Sequence, residues 1–572
     1  MDFWAFWIRY NARVWCVYEL MYPGSRATGK EFLVDFLIAQ ACSLERNGPT
    51  MLGKSLLIRR LTVQRVLFLF VFVCFFHAWE CFGQAASDRY QLGRRLERFE
   101  RAWQESPDEL RAKSTASMEQ AVQSFFSLQL SRAGKLLDQA WMQASGTEAS
   151  QQTQRLQSLR WKLDFQRTLL NADDPVTEIR SGAFYDPPTD LPIRFEIVLK
   201  VWPWSDSPAL VMESRLGQEP LMSKTLQISS DEGLQVDFRG LAPGDYMLTA
   251  HEVSSEPGKF DWICPSISLV DRLEERFAKL ETWSASTRKE PNGKVDKDTG
   301  DVDQSASSRS ANSTGRFLAR EIARGRKGIA FEIDLPWNKL MEDFEQISLG
   351  SLDGQPVDGA FESWIRKAGW KWMQLGLGRS TQVIRMEVPE VDSRDSSKKL
   401  PVLIALHGAG GSENMFFQTY GAGRLIELAK ERKWIVVSPR QTMTGLGLDV
   451  PGMIQALSEH LPIDEQRVML VGHSMGAAQG MSQVSKHPES IRMVAALGGG
   501  GTLKDTEAIR KVPFFVGAGD RDFGKPRAKS LSQELKRIGC PVEYREYRDV
   551  EHMVIVQAAL DDVFDFFDRG IK

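Results

Sequence analysis

A serine hydroxyl attacks a carbonyl only when a base takes its proton, a third group orients that base, and donors await the developing oxyanion. The segment Val471-Gly472-His473-Ser474-Met475-Gly476 sets a serine between glycines, with an apolar run before it and a helical pattern after it. In a strand-turn-helix context such a G-x-S-x-G segment lifts the hydroxyl above a sheet, because flanking side chains would clash in so sharp a turn. Two histidines follow Ser474. His487 comes directly after the next helix, where a solvated or capping place is expected. His552, in Asp549-Val550-Glu551-His552-Met553, falls between the last strand pattern and the last helix, the place expected of the base. The acid should end the preceding strand, and Val516-Gly517-Ala518-Gly519-Asp520-Arg521-Asp522 offers two carboxylates. Asp520, three residues after Gly517, is preferred and Asp522 is the alternative; the acid would hold the imidazole tautomer. Leu406-His407-Gly408-Ala409-Gly410-Gly411-Ser412 closes an earlier strand with enough glycine to aim amides inward. The N–H groups of Ala409 and Met475 are the expected oxyanion donors, with Gly410 the fallback.

Chemistry of this kind needs a scaffold, and residues 381–572 supply one. Strand patterns at 382–389, 401–407, 434–438, 467–472, 491–497, 513–516 and 542–547 alternate with helical patterns such as 423–433, 453–460, 477–485, 528–538 and 554–567. Near-continuous apolar strands between helices predict a mostly parallel, doubly wound α/β sheet covered on both faces. Function in such sheets gathers at the carboxyl ends of the strands.

These landmarks, with Ile463-Asp464-Glu465-Gln466-Arg467-Val468 leading into the elbow strand, resemble the α/β-hydrolase superfamily, and within it the secreted serine esterases: polyhydroxybutyrate depolymerase, feruloyl and acetylxylan esterases, and phospholipase/carboxylesterase-type enzymes. The resemblance covers a third of the chain. It implies a Ser-Asp-His triad and hydrolysis of a carboxylic ester through an acyl-enzyme, with no metal or organic cofactor. Many relatives follow the acid with a Val-Pro step, where this chain has Phe523-Gly524-Lys525-Pro526. Prolyl-oligopeptidase-type serine peptidases share the landmarks, but the upstream β region is too short for their propeller. A surface binding or scaffold protein with a vestigial hydrolase domain is the remaining alternative. Little room for a lid exists between Gly501 and Pro513, so an open, lidless site is expected, suited to an ester displayed on a polymer or polysaccharide. Met415, Phe416 and Phe417, and the segment 443–448, are candidate walls of the acyl pocket.

Upstream the chain reads as further regions, so a multidomain protein is expected. Residues 86–173 are predicted helical: Leu92, Leu96, Phe99 and Trp103 recur at spacings of three and four, Ser106-Pro107-Asp108-Glu109 begins a helix, and Ala121 to Trp141 resembles one tetratricopeptide-like hairpin without a second copy. Residues 174–268 change to a period of two and predict a β-sandwich, with Trp202, Trp204 and Trp262 as core or as a sugar platform. Within 269–380, a helix at 269–283 leads to a polar stretch, 284–315, predicted disordered, and then a mixed connector containing Trp337, Trp364, Trp370 and Trp372.

The sequence has 572 residues, 72 Lys and Arg against 75 Asp and Glu, and six cysteines. A net charge of -3 lacks the basic field of a nucleic-acid binder, and so few cysteines exclude a disulfide-dense scaffold. Lys54, Arg59, Arg60 and Arg65 precede an apolar run, Val66 to Phe76, and then Gly83-Gln84-Ala85, the order of a secretory signal. Residues 51–85 are therefore read as a signal peptide and 1–50 as a start-site extension, with export to the periplasm, cell surface or medium. Membrane contact is expected only if that segment stays uncleaved. Cys264 and Cys540 lie beyond it, in regions expected to be separate, with no sequence support for a bridge.

Overall fold

In this computed structural model the described residues are 83–572, except 149–153, 155–156, 187–193, 206–218, 230–232, 254–261, 289–305, 330, 349–358, 378–379, 391–398, 443–444, 446 and 572. The expected start-site extension and nearly all of the expected signal segment lie outside them.

The chain opens with three helices, α1 (Gly83–Glu105), α2 (Asp108–Phe126) and α3 (Leu130–Ala144). Small Ala121, Ala133 and Ala140 sit at the buried seam and let α2 and α3 approach closely. The helical region is shorter than the predicted 86–173, because β1 (Leu159–Phe165) and β2 (Leu169–Asn171) follow within it. Next come β3 (Val176–Ala183), β4 (Arg194–Pro203), β5 (Met222–Ser229), β6 (Leu234–Asp237), β7 (Gly244–Glu252) and β8 (Trp262–Val270). They form a three-stranded sheet, β1-β3-β6, and a five-stranded one, β2-β8-β7-β4-β5. Ile179 and Val236 from the first share a core with Ile197, Leu199, Leu248 and Ile267 from the second, which is sandwich packing. Trp202 and Trp262 are buried, so they serve as core and not as a sugar platform.

The helices α4 (Leu273–Arg288), α5 (Ala306–Arg326), α6 (Trp337–Ser348) and α7 (Ala360–Arg366) follow. Together α4 and α5 correct the expectation of disorder at both ends of 284–315; residues 289–305 lie outside the described residues. On the buried face of α5, Ser310, Ser313 and Thr314 in the first half precede Phe317, Leu318 and Ile322 in the second. Ser313 Oγ donates to the carbonyl of Gln374, at 2.5 Å, and Ser310 Oγ accepts from the N–H of Gly376, at 3.2 Å. Small hydroxylated side chains thus pack the first half of α5 on a strand, and apolar ones the second half.

The last sheet holds β9 (Gly369–Leu377), β10 (Ser380–Val388), β11 (Leu400–Leu406), β12 (Ile435–Pro439), β13 (Ile463–His473), β14 (Met493–Leu497), β15 (Phe514–Gly519) and β16 (Val542–Tyr547), in the order β16-β15-β14-β13-β11-β12-β10-β9. Pairing is parallel from β12 to β16 and antiparallel at β10 and β9. Every residue of β11, β12, β14 and β15 is buried, as both faces carry helices. Those helices are α8 (Met415–Gln418), α9 (Arg424–Glu431), α10 (Val450–Ser458), α11 (Met475–Lys486), α12 (Lys525–Ile538) and α13 (Val554–Ile571). This is an α/β-hydrolase-like sheet, extended by β9, which lies in the stretch expected to be a mixed connector. Residues 83–572 pack as one compact unit. Cys264 and Cys540 are buried and unbridged.

Candidate active site

Ser474 stands between β13 and α11 with φ 55° and ψ −112°. A non-glycine residue avoids that region unless its surroundings impose it. Here they do. A Cβ on Gly476 would lie 2.1 Å from the carbonyl oxygen of Leu406, and one on Gly472 would lie 2.5 Å from that of Gly476. Both elbow glycines are therefore steric requirements of packing α11 onto the ends of β11 and β13.

His552 lies in the loop between β16 and α13, its Nε2 2.9 Å from Ser474 Oγ. On its other side Nδ1 stands 2.7 Å from Asp522 Oδ1, with both side chains almost fully buried. The carboxylate accepts, so Nδ1 carries the proton and Nε2 presents a lone pair to the serine hydroxyl.

Asp522, and not the preferred Asp520, meets the histidine. The spacing from Gly517 misplaces the acid because β15 keeps pairing with β16 through Gly519 and Tyr547, and the N–H of Asp520 still bonds the carbonyl of Tyr547, at 2.8 Å. The chain turns toward the site only after Asp520. Asp522 Oδ1 also accepts from the N–H of Gly524, at 2.6 Å, which fixes the carboxylate. His487 caps the end of α11, away from this cluster.

Three further polar groups hold the loops. His407 Nε2 accepts the N–H of Gln441, at 3.1 Å, so its Nδ1 donates to the carbonyl of Gly408, at 2.8 Å. Burial pushes the His407 pKa down, in keeping with this neutral tautomer. In a trans peptide the C=O of Gly408 and the N–H of Ala409 point opposite ways, so pinning that carbonyl turns the Ala409 amide to the other side. Among the described residues that amide has no backbone acceptor. Met475 begins α11, and the first N–H groups of a helix lack partners within it.

Tyr420 and His473 join these parts. Tyr420 Oη accepts the Gly408 N–H, at 3.1 Å, and donates to His473 Nδ1, at 2.9 Å, while His473 Nε2 donates to the carbonyl of His552, at 2.7 Å. Burial, followed by the His552 charge, lowers the His473 pKa to about 3, so the ring stays neutral and the chain keeps its direction. Beside His552, Glu551 is buried and its pKa is raised to about 7, although the N–H groups of Met553 and Val554 donate to Oε1. Phe523 lies over the His552 ring with centroids 3.8 Å apart. Sequence reasoning missed Tyr420, His473 and Phe523; only the position of His473 beside the serine could have flagged one of them.

The expectation of an open, lidless site is overturned. Helices α1 to α3 lie across the serine, and with the glycine loop they enclose a cleft of about 110 Å³, open to solvent on one side. The lid comes from far upstream, so the absence of an insertion inside residues 381–572 did not reveal it. Thr115 Oγ1 donates to the carbonyl of Asp549, at 2.8 Å, and the Glu100 carboxylate accepts the N–H of Ala422, at 3.0 Å. Arg89 reaches the carbonyl of Gly410 and pairs with Glu332, whose carboxylate also takes the hydroxyl of Ser412. Of the predicted pocket walls, Met415 lines the cleft, Phe416 and Phe417 are core, and Met443 lies outside the described residues.

No family model matches this sequence, and no curated protein does. Among solved structures, a ferulic acid esterase aligns at 18% identity and TM-score 0.31 over 36% of this chain and 100% of its own. A thermostable esterase aligns at 19% identity and TM-score 0.31, over 35% of this chain and 62% of its own. An S-formylglutathione hydrolase from Agrobacterium tumefaciens aligns at 16% identity and TM-score 0.28, over 36% and 95%.

Proposed function

We propose that this chain is a serine hydrolase that cleaves carboxylic esters through an acyl-enzyme. Ser474 Oγ attacks the ester carbonyl as His552 Nε2 takes its proton, and Asp522 stabilises the imidazolium that forms. The amides of Ala409 and Met475 hold the oxyanion. His552 then protonates the departing alcohol, and a water molecule, activated by the same imidazole, releases the acid. The observation that carries this reading is the unbroken relay from Ser474 Oγ through His552 to Asp522, with contacts of 2.9 and 2.7 Å, at the floor of a cleft. Export belongs to the same proposal and rests on the residue order of 51–85.

The test is Ser474→Ala. It should lower p-nitrophenyl ester turnover on the order of a millionfold, as removal of a triad nucleophile does elsewhere, and abolish labelling by a fluorophosphonate probe while the melting temperature holds. Undiminished turnover by that variant would end the proposal. Peptide substrates assayed on the same preparation separate an esterase from a peptidase.

A further inference from the structure

Beyond the serine, the cleft runs between the three upstream helices. Its far wall is built from Leu92 and Leu96 of α1, Met118 and Val122 of α2, and Leu137 of α3, each less than a tenth exposed. No titratable side chain stands on that wall. The polar lining gathers instead near the glycine loop, where Arg89, Glu332 and Ser412 already bond one another. A guest in the inner part meets mostly hydrocarbon, so a guest with a buried hydroxyl or charge would lose most of its hydrogen bonds to water unrepaid.

The geometry distinguishes the acyl from the alcohol side. His552 must protonate the leaving oxygen, so the alcohol departs on the side of His552, where Phe523 and Phe126 meet at the exposed rim with centroids 5.9 Å apart. The glycine loop, which carries the oxyanion donor, borders the cleft against α2: a Cβ on Gly410 would come within 3.2 Å of the Phe125 ring. The acyl group therefore extends past the loop into the space between the helices.

We infer that helices α1 to α3 form the acyl-binding pocket and that it selects straight, saturated acyl chains of medium length over acetyl and over hydroxylated aromatic acyl groups. This rests on the esterase reading above and deepens it.

The test uses the full chain and p-nitrophenyl acetate, butyrate, hexanoate and octanoate, kept below their aggregation concentrations, with a feruloyl ester for comparison. Each methylene that enters the pocket should raise kcat/KM by about fourfold, so octanoate should exceed acetate by up to about a few thousandfold if all six extra methylenes enter. Met118→Trp, which fills the space, should collapse the octanoate-to-acetate ratio. Leu137→Ala, which enlarges it, should move the preferred length upward, and it decides the matter if the first variant does not fold. Labelling with a small ethyl fluorophosphonate reports an intact nucleophile in each. Rates that are flat or falling from acetate to octanoate, a feruloyl ester cleaved faster than octanoate, or a labelled Met118→Trp variant with the parent ratio would overturn the inference and leave the esterase standing. Absence of labelling and of all ester cleavage in the parent protein would instead overturn the esterase reading itself.

Discussion

Asp522→Asn isolates the charge at the end of the relay. Asp522 Oδ1 accepts from both His552 Nδ1 and the N–H of Gly524, so an amide placed there keeps its carbonyl oxygen toward the two donors. The tautomer of His552 then survives and only the negative charge is lost. For unit charges about 4 Å apart at an effective dielectric near 20, that charge is worth about 4 kcal/mol to the imidazolium formed in the transition state. The expected loss in kcat/KM is therefore about a thousandfold, at 1.36 kcal/mol per decade. If the amide flips and presents its NH2 to the ring, the tautomer reverses and the loss approaches ten-thousandfold. Steady-state turnover of p-nitrophenyl butyrate gives the ratio, and the rate of fluorophosphonate labelling reads the same step without deacylation. Asp520→Asn is the paired control and should stay within about threefold of the parent, as expected of a near-isosteric change that removes no contact to the ring. The reasoning fails if Asp522→Asn keeps more than a tenth of the activity, or if Asp520→Asn falls as far.

Other variants test the surroundings. Glu551 has a folded-state pKa of about 7 against an ordinary 4.5, so its stabilising share is complete below pH 4.5 and is lost as pH rises through 7. Glu551→Gln stays neutral and keeps an acceptor for the Met553 and Val554 amides, so its stability relative to the parent should climb by up to about 3 kcal/mol between pH 4 and 8; a difference in urea-unfolding free energy that does not change with pH contradicts this. Tyr420→Phe leaves the buried Gly408 amide and His473 Nδ1 unpaired, and should cost about 2–4 kcal/mol in urea unfolding, with kcat reduced more than KM is raised. An unchanged midpoint would show that the hydroxyl does not hold the loops. Gly476→Ala would drive a Cβ to 2.1 Å from the Leu406 oxygen, so it should lose both labelling and native melting; a labelled, fully stable variant refutes the steric account of the elbow.

The parts of the site legible in the sequence were those enforced by local sterics or chain order. The glycines around Ser474 have no alternative, and His552 occupies the only histidine position between the last strand and the last helix. The acid was misassigned because the choice between Asp520 and Asp522 turns on how far β15 stays paired with β16, and register between distant segments leaves no local mark. Strand β9 was missed because buried Lys371 interrupts its apolar residues, though Trp370 and Trp372 on either side are core. Helix α5 was missed because small polar residues pack its first half, inside the polar stretch, while its buried Phe317, Leu318 and Ile322 lie beyond residue 315. The α1 stripe of Leu92, Leu96, Phe99 and Trp103 announced a helix with one buried side, while its partner, the glycine loop at Gly410, lies 321 residues away from Arg89.

That distance bears on how substrate reaches the serine. A lid inserted within a catalytic domain hangs from two neighbouring points and can swing on them. Here the cap is fastened at many points: Arg94 and Tyr90 to Asp334, Glu100 to the N–H of Ala422, Gln104 to Gln557, and Thr115 to the loop that carries His552. The Arg94–Asp334 pair is nearly buried and would have to be broken. Lifting α1 off the site would also expose Leu92, Leu96 and Phe99, at about 1.5–3 kcal/mol for each, so opening by cap release is disfavoured by several powers of ten. The way in is then the rim where Phe126 and Phe523 stand exposed, and side-chain rotation at those two rings is a far smaller motion than lifting a helix. The same contacts make the cap part of the catalytic machinery: without it, the Asp549 carbonyl loses its partner one turn before His552, and residues 381–572 alone would present a serine and a base whose loop is no longer held.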